Sequence, residues 1–246
     1  LGDNFLVGGF DLSGDTNSLS GISTPMAVLD LTGINKSAHE RQYGERDGML
    51  KFVSYFNKIP ISGGGAHDVL SLLPRTDVMT SYLRGTTLGA PAACMVAKQI
   101  DYDGTRATDG ALTFAVDAQS NAFGQDWGLQ LTAGLRTDTT ATNGTSINTT
   151  ASASFGAIAY LQVTAFTGTD CTVHIQDSAD NSSFADVTGL VFAATTAANT
   201  TQRLATASAT ATVRQYIRAT TTTSAGFTSI TFSAVITKNT AAWRLP

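Results

Sequence analysis

The sequence predicts a mainly β protein, and three observations carry that prediction. Apolar residues alternate with period two in several short runs, the pattern of half-buried strands. Charged residues make up only 14% of the 246-residue chain, against about a quarter in an average globular protein. Thr, Ala, Gly and Ser abound instead, a bias toward strands and turns. A chain of this length can bury one large core or two modest ones.

Taken in order, "MLKFVSYF" (residues 49–56) puts Leu50, Phe52 and Phe56 on one face and Lys51, Val53 and Tyr55 on the other. One short helix is predicted in "GGGAHDVLSLLP" (63–74), with Asp68 in an early turn, apolar Val69, Leu70, Leu72 and Leu73, and Pro74 as the stop. "AACMVAKQIDY" (92–102) and "ALTFAVDAQ" (111–119) read as a β-hairpin. The "DGTRATDG" between them holds two Asp-Gly pairs and reads as its loop. In the second strand Leu112, Phe114, Val116 and Ala118 share the inward face, so Thr113, Ala115 and Asp117 share the other. "WGLQLTAGLR" (127–136) supplies a further strand.

Residues 137–154 are polar and read as a linker or as a polar first strand of a second domain, so two domains are expected, 1–139 and 140–246. After this point every recognisable element is a strand: "AIAYLQVTAF", "CTVHIQDS", "ATVRQYIRAT" and "TSITFSAVIT", the last with Ile230, Phe232, Ala234 and Ile236 on one face. That is the layout of a β-sandwich.

Composition excludes some functions. Residues 1–139 carry 10 Lys+Arg and 15 Asp+Glu, and residues 140–246 carry 5 and 4. No basic patch offers itself to phosphates, so tight nucleic-acid binding is not expected. No apolar run is long enough to span a bilayer and no signal peptide is read at the start, so no membrane partner is expected. Cys94 and Cys171 lie far apart and fit buried free thiols in a reducing cytoplasm.

No catalytic, cofactor or metal constellation emerges. His39 lies in "HERQY", which lacks the second His of a zinc pair. His67 adjoins Asp68 near the helix start, and His174 sits alone in a strand. Gly63 to Gly65 precede the helix without the Lys-Ser/Thr of a phosphate loop. Asp177, Asp180 and Asp186 have the wrong spacing for a helix–loop–helix calcium site and read as turn residues.

One stretch concentrates charge in this charge-poor chain: His39, Glu40, Arg41, Glu45, Arg46 and Asp47. Around it, "FDLSGDTNSLS" (10–20) followed by "YGERDGMLKFVSYF" (43–56) resembles the major tail tube proteins of long, non-contractile-tailed bacteriophages (siphophages). The match falls on Gly44, Asp47, Gly48, Leu50, Phe52 and Phe56, and the short helix and long hairpin follow in the same order. The resemblance covers about residues 5–136. It implies a tail-tube-type β-sandwich or barrel of two antiparallel sheets flanked by a helix. Six copies would form a ring, and rings would stack into a tube, with other tail proteins as neighbours, through which DNA leaves the virion without specific binding.

On that resemblance, residues 30–49 are a loop reaching a neighbouring subunit, and Thr113 and Asp117 face the lumen. The protein is then a virion component assembled in the bacterial cytoplasm, without catalysis or cofactor. The second half resembles Ig-like or jelly-roll-like sandwiches appended to phage virion proteins. An alternative is a capsid-decorating protein or adhesin whose C-terminal sandwich binds host carbohydrate through Tyr160, Phe166, Tyr216 or Phe227.

Overall fold

The computed structural model describes residues 2–58, 64–73 and 76–240. They form strands β1 (Asn4–Val7), β2 (Phe10–Asp11), β3 (Thr16–Ser23), β4 (Met26–Asp30), β5 (Arg41–Arg46) and β6 (Met49–Tyr55), then helix α1 (Ala66–Leu70). Next come β7 (Val78–Leu83), β8 (Pro91–Gln99), β9 (Asp103–Arg106), β10 (Leu112–Ser120), β11 (Asp126–Gln130) and β12 (Arg136–Asp138). The chain ends with β13 (Ile147–Asn148), β14 (Ala157–Thr167), β15 (Cys171–Ser178), β16 (Ala185–Val191), β17 (Thr200–Ala205), β18 (Tyr216–Thr223) and β19 (Ser229–Lys238). The protein is mainly β, as its alternation predicts.

The residues gather into two compact units. One comprises Leu1–Gly14, Met79–Cys94 and Trp127–Pro246; the other comprises Asp15–Val78 and Met95–Asp126. In the first unit, β14 lies between β17 and β19, and β19 also pairs with β11 and β12. A second sheet runs β13-β18-β15-β16. Ile230, Phe232, Ala234 and Ile236 of β19 meet Ala157, Ala159, Leu161 and Val163 of β14 and Val173 and Ile175 of β15 in one buried core. Period two is obeyed because one side chain in two must face that core.

The other face of β14 is buried too, and there Tyr160 and Gln162 are only 1% exposed. A buried amide costs stability unless it is hydrogen-bonded. Gln162 meets that requirement: its Oε1 accepts from Gly9 N (2.9 Å) and its Nε2 donates to Ser81 Oγ (2.8 Å). It thereby ties β14 to the β1–β7 layer, in which Asn4 to Val7 pair with Leu83 to Thr80.

In the second unit β10 pairs with β6, and β6 with β3. Leu50 and Phe52 of β6 are buried and Val116 and Ala118 of β10 lie with them inside, as expected from the alternation. Phe56 departs from that expectation. It follows β6, is 43% exposed, and lays its ring against His67 at 4.6 Å.

The expected hairpin loop is corrected. Residues 103–106 form β9, paired with β10 from Leu112↔Arg106 to Ala115↔Asp103. Only the second Asp-Gly pair turns the chain, where Gly110 N donates to Ala107 O at 3.0 Å. Gly104 is a strand residue for a packing reason: a Cβ there would come within 2.8 Å of the Phe114 ring, which stacks on Tyr102 at 4.3 Å.

Helix α1 is shorter than expected. Leu70 is buried, but Leu72 and Leu73 lie past its end and are exposed. Pro74 and Gly63 lie outside the described residues. Its start has no local side-chain cap; Ala66 N instead donates to Asp15 Oδ2 at 2.9 Å. Among the described residues no helix is long and apolar enough to cross a membrane.

Segment 137–154 is tied to the sheet rather than free. Ile147 and Asn148 pair with Ile217 and Tyr216, and Thr142 exchanges backbone hydrogen bonds with Thr221. Buried Asp138 is held by Arg136 Nη2 (2.9 Å) and Thr221 Oγ1 (2.8 Å). Neither cysteine is in a disulfide and both are buried, and burial pushes the Cys171 thiol up to about 11.

Candidate functional site: an exposed two-stranded ribbon

The charged stretch sits on a ribbon. Among the described residues β4 and β5 pair only with each other, with Val28 opposite Tyr43, Leu29 opposite Gln42 and Asp30 opposite Arg41. Of residues 30–49, expected from the resemblance to be a loop, 31–40 are the connection between β4 and β5, while Arg41–Arg46 form β5. The hairpin bears apolar side chains with little cover: Tyr43 is 74% exposed, and Val28, Leu29 and Leu31 are each at least half exposed.

The tip is internally tied. Asp30 Oδ1 accepts from Thr32 N at 2.9 Å and from the Thr32 hydroxyl, and Asp30 Oδ2 meets His39 Nδ1 at 3.0 Å. The Thr32 bonds first, then His39, hold the Asp30 carboxyl below the usual carboxylate range. Lys36 pairs with Glu40 at 2.9 Å. Such exposed pairs set conformation more than they add stability.

The six charged residues separate by position. His39 and Glu40 belong to the tip, and Arg41 and Glu45 are exposed on β5. Arg46 and Asp47 are used inside the unit. Arg46 Nη1 lies 3.4 Å from Asp126 Oδ1, whose side chain is 2% exposed. Asp47 accepts from Gly48 N (2.7 Å), Gln119 Nε2 (2.7 Å) and Ser120 Oγ (2.8 Å). Those bonds, with Gln119 the largest influence, hold the Asp47 carboxyl below its ordinary range.

Thr113 and Asp117 share the face of β10 opposite Val116 and Ala118. Asp117 stands directly across from Lys51, and their side chains meet at 2.5 Å. The acidic group is thus half of an ion pair.

His67 Nδ1 meets the Tyr102 hydroxyl at 2.9 Å inside the Phe56, Phe114 and Tyr102 ring cluster. His174 lies between Asp186 (Nδ1 to Oδ2, 3.0 Å) and Thr222 (Nε2 to Oγ1, 2.9 Å). Hydroxyl, imidazole and carboxylate in that order resemble an activated nucleophile. Here they join β18, β15 and β16 across a sheet, with Thr222 exposed to bulk water, and act as a cross-strand tie. Asp180, in the turn after β15, accepts from Ser182 N and Ser183 N, a turn role as expected. Among the described residues no group of three or more His, Cys, Asp or Glu is placed to hold a metal.

Sequence reasoning missed the apolar members of the ribbon. The signal was present in "MAVLD", where Met26, Ala27, Val28 and Leu29 form a short apolar run before the charges. The aromatics expected for sugar stacking are not a set. Tyr160 is buried, and Phe166 and Phe227 meet each other at 6.2 Å and pack on the core.

No family model matches the chain. No curated protein matches it either. Among solved structures, the chain is similar to the SPP1 Dit protein, described as a paradigm of the hub adsorption apparatus in Gram-positive-infecting phages. The identity is 12% over 96% of this chain and 99% of that one, with a TM-score of 0.33. Two structures of the phage p2 baseplate in its activated conformation, with Sr and with Ca, match at 9% identity and a TM-score of 0.35. They cover 97% and 98% of this chain and 99% and 100% of theirs. TM-scores of this size do not define a shared fold.

Proposed function

We propose that the chain is a non-enzymatic structural subunit of a phage tail, of the tube type, that assembles into hexameric rings stacked around a DNA channel. The observation that carries this reading is the β4–β5 ribbon. A two-stranded hairpin is marginal in water by itself, and this one leaves Val28, Leu29, Leu31 and Tyr43 exposed. A neighbouring copy supplies the missing cover, and a closed ring of copies uses such a contact without leaving it open to unlimited growth. The order of motifs from Phe10 to Phe56 supports the tube type in particular.

In this reading His39, Glu40, Arg41 and Glu45 set the register of the contact through complementary charge. Arg46 and Asp47 act indirectly, by fixing the root of the ribbon. Thr113 and Asp117 face the channel, and the Lys51–Asp117 pair gives that wall a nearly neutral character that DNA can slide past. Negative-stain microscopy of the purified protein tests the reading. Tubes or six-fold rings are expected; a population of monomers or trimers at all concentrations overturns it. Within assembled tubes, Asp117→Lys is expected to leave length and diameter unchanged and to slow DNA ejection.

A further inference from the structure

Among the described residues of the first unit, three large hydrophobic side chains are exposed: Trp127, Phe155 and Val191. Two of them, Trp127 and Phe155, wall one groove of about 880 Å³. The groove is bounded by β11, the end of β19 and the loop of residues 149–155. It has the size of a small-ligand site.

Two of its buried polar atoms lack a hydrogen-bond partner. Asn239 is fully buried in the wall, and its Nδ2 donates to Phe155 O at 3.0 Å, but its Oδ1 has no hydrogen-bond partner. Thr237 is 3% exposed, and its Oγ1 has no partner either. Buried polar atoms left unpaired, here an amide acceptor and a hydroxyl that can donate or accept, cost stability that a bound partner returns. Ser152, Ser154 and Thr149 add hydroxyls along the loop side.

Among the described residues lining the groove the one cation is Lys238, and it is already occupied. Its Nζ donates to Ala151 O (2.6 Å), Thr149 Oγ1 (2.9 Å) and Arg214 O (3.3 Å). Among the described lining residues an anionic ligand would find no free positive charge. What fits is a neutral molecule with a flat apolar face for Trp127 and hydroxyl or amide donors for the wall.

We infer that this groove binds a neutral pyranose sugar, its ring stacked on Trp127 and its hydroxyl or acetamido donors turned toward Asn239 and Thr237. The inference goes beyond the tail-subunit reading and does not rest on it, because every residue it uses lies in the first unit. It also differs from the sugar site expected in the sequence, whose aromatic residues belong elsewhere.

The test uses the full chain. The sequence holds two tryptophans, so Trp243→Phe leaves Trp127 as the only indole reporter. Fluorescence is followed while methyl β-glucopyranoside or N-acetylglucosamine is raised to about 50 mM, since a ligand of this size binds with a dissociation constant on the order of 1–10 mM. A saturable change with either sugar is expected. By calorimetry, Trp127→Ala is expected to weaken binding at least about tenfold and Trp127→Phe only a few-fold, because a smaller ring still stacks. Absence of a saturable response to both sugars overturns the inference, as does equal binding by Trp127→Ala. A self-association that Trp127→Ala abolishes, without any sugar response, also overturns it and assigns the groove to a second copy.

Discussion

Gln162 shows how one residue can organise a layer. Its amide is buried, yet both ends are used, on Gly9, Ser81 and the Leu6 carbonyl (3.3 Å). Gln162→Leu keeps the volume and removes the partners, leaving the Gly9 N–H buried and unpaired. The expected loss is about 1–3 kcal/mol, read from the urea midpoint. Asp47 makes a second residue-scale case. Its folded carboxyl is held below the ordinary range, so its contribution is present above the unfolded value near pH 4 and is lost as pH falls through the lower folded value. Asp47→Asn is therefore expected to be less stable than the parent at pH 7, with the gap closing in acid. A gap that stays constant down to pH 2 would count against this account.

At the scale of elements, the ribbon and the sheets behave differently because only the sheets hide their apolar side chains. Leu29→Ser and Tyr43→Ser change residues that the folded unit leaves exposed. Thermal stability of the monomer should stay within about 0.5 kcal/mol, while ring or tube formation by microscopy should be lost. Arg46→Glu is a poor probe of the same contact, because it sets a second carboxylate against buried Asp126. The alternating strands β6, β10 and β15 were legible in the sequence, since burial on one face writes itself as period two, and β19 was legible from Ile230, Phe232, Ala234 and Ile236 although both of its faces are buried. β16 and β17 were not, because "ADVTGLV" and "TTQRLA" lack that pattern. The resemblance made residues 30–49 a loop, and β5 escaped notice as a strand because Arg41 to Arg46 show no apolar alternation. The groove went unnoticed because Trp127 and Phe155, which both line it with the end of β19, are far apart in sequence.

At the scale of the whole molecule, the division expected after residue 139 is a proposal about independent folding. The pairings bear on its test. Leu129 and Gln130 pair with Ile236 and Val235, and Arg136 to Asp138 pair with Phe232 to Ile230. A chain stopped at residue 139 leaves both strands without β19 and Gly9 without Gln162. We expect that fragment to lose the cooperative urea transition of the full chain. A sharp transition in the fragment, with tubes still formed, would establish the first 139 residues as a self-sufficient assembly domain. No local pattern announces pairings between residues a hundred positions apart, which is why the interleaved units were not legible.

The placement of β19 also sets an order in time. Every residue of the second unit precedes Trp127, whereas the first unit needs β19, more than a hundred residues later. Bacterial synthesis adds roughly 5–20 residues per second, so the second unit leaves the ribosome on the order of ten seconds before its neighbour's last strand. Throughout that interval the ribbon is available to ribbons on nearby ribosomes translating the same message. A contact that closes into a ring has reason to be weak one subunit at a time and strong only when several meet, and the small apolar area of a single ribbon suits that requirement.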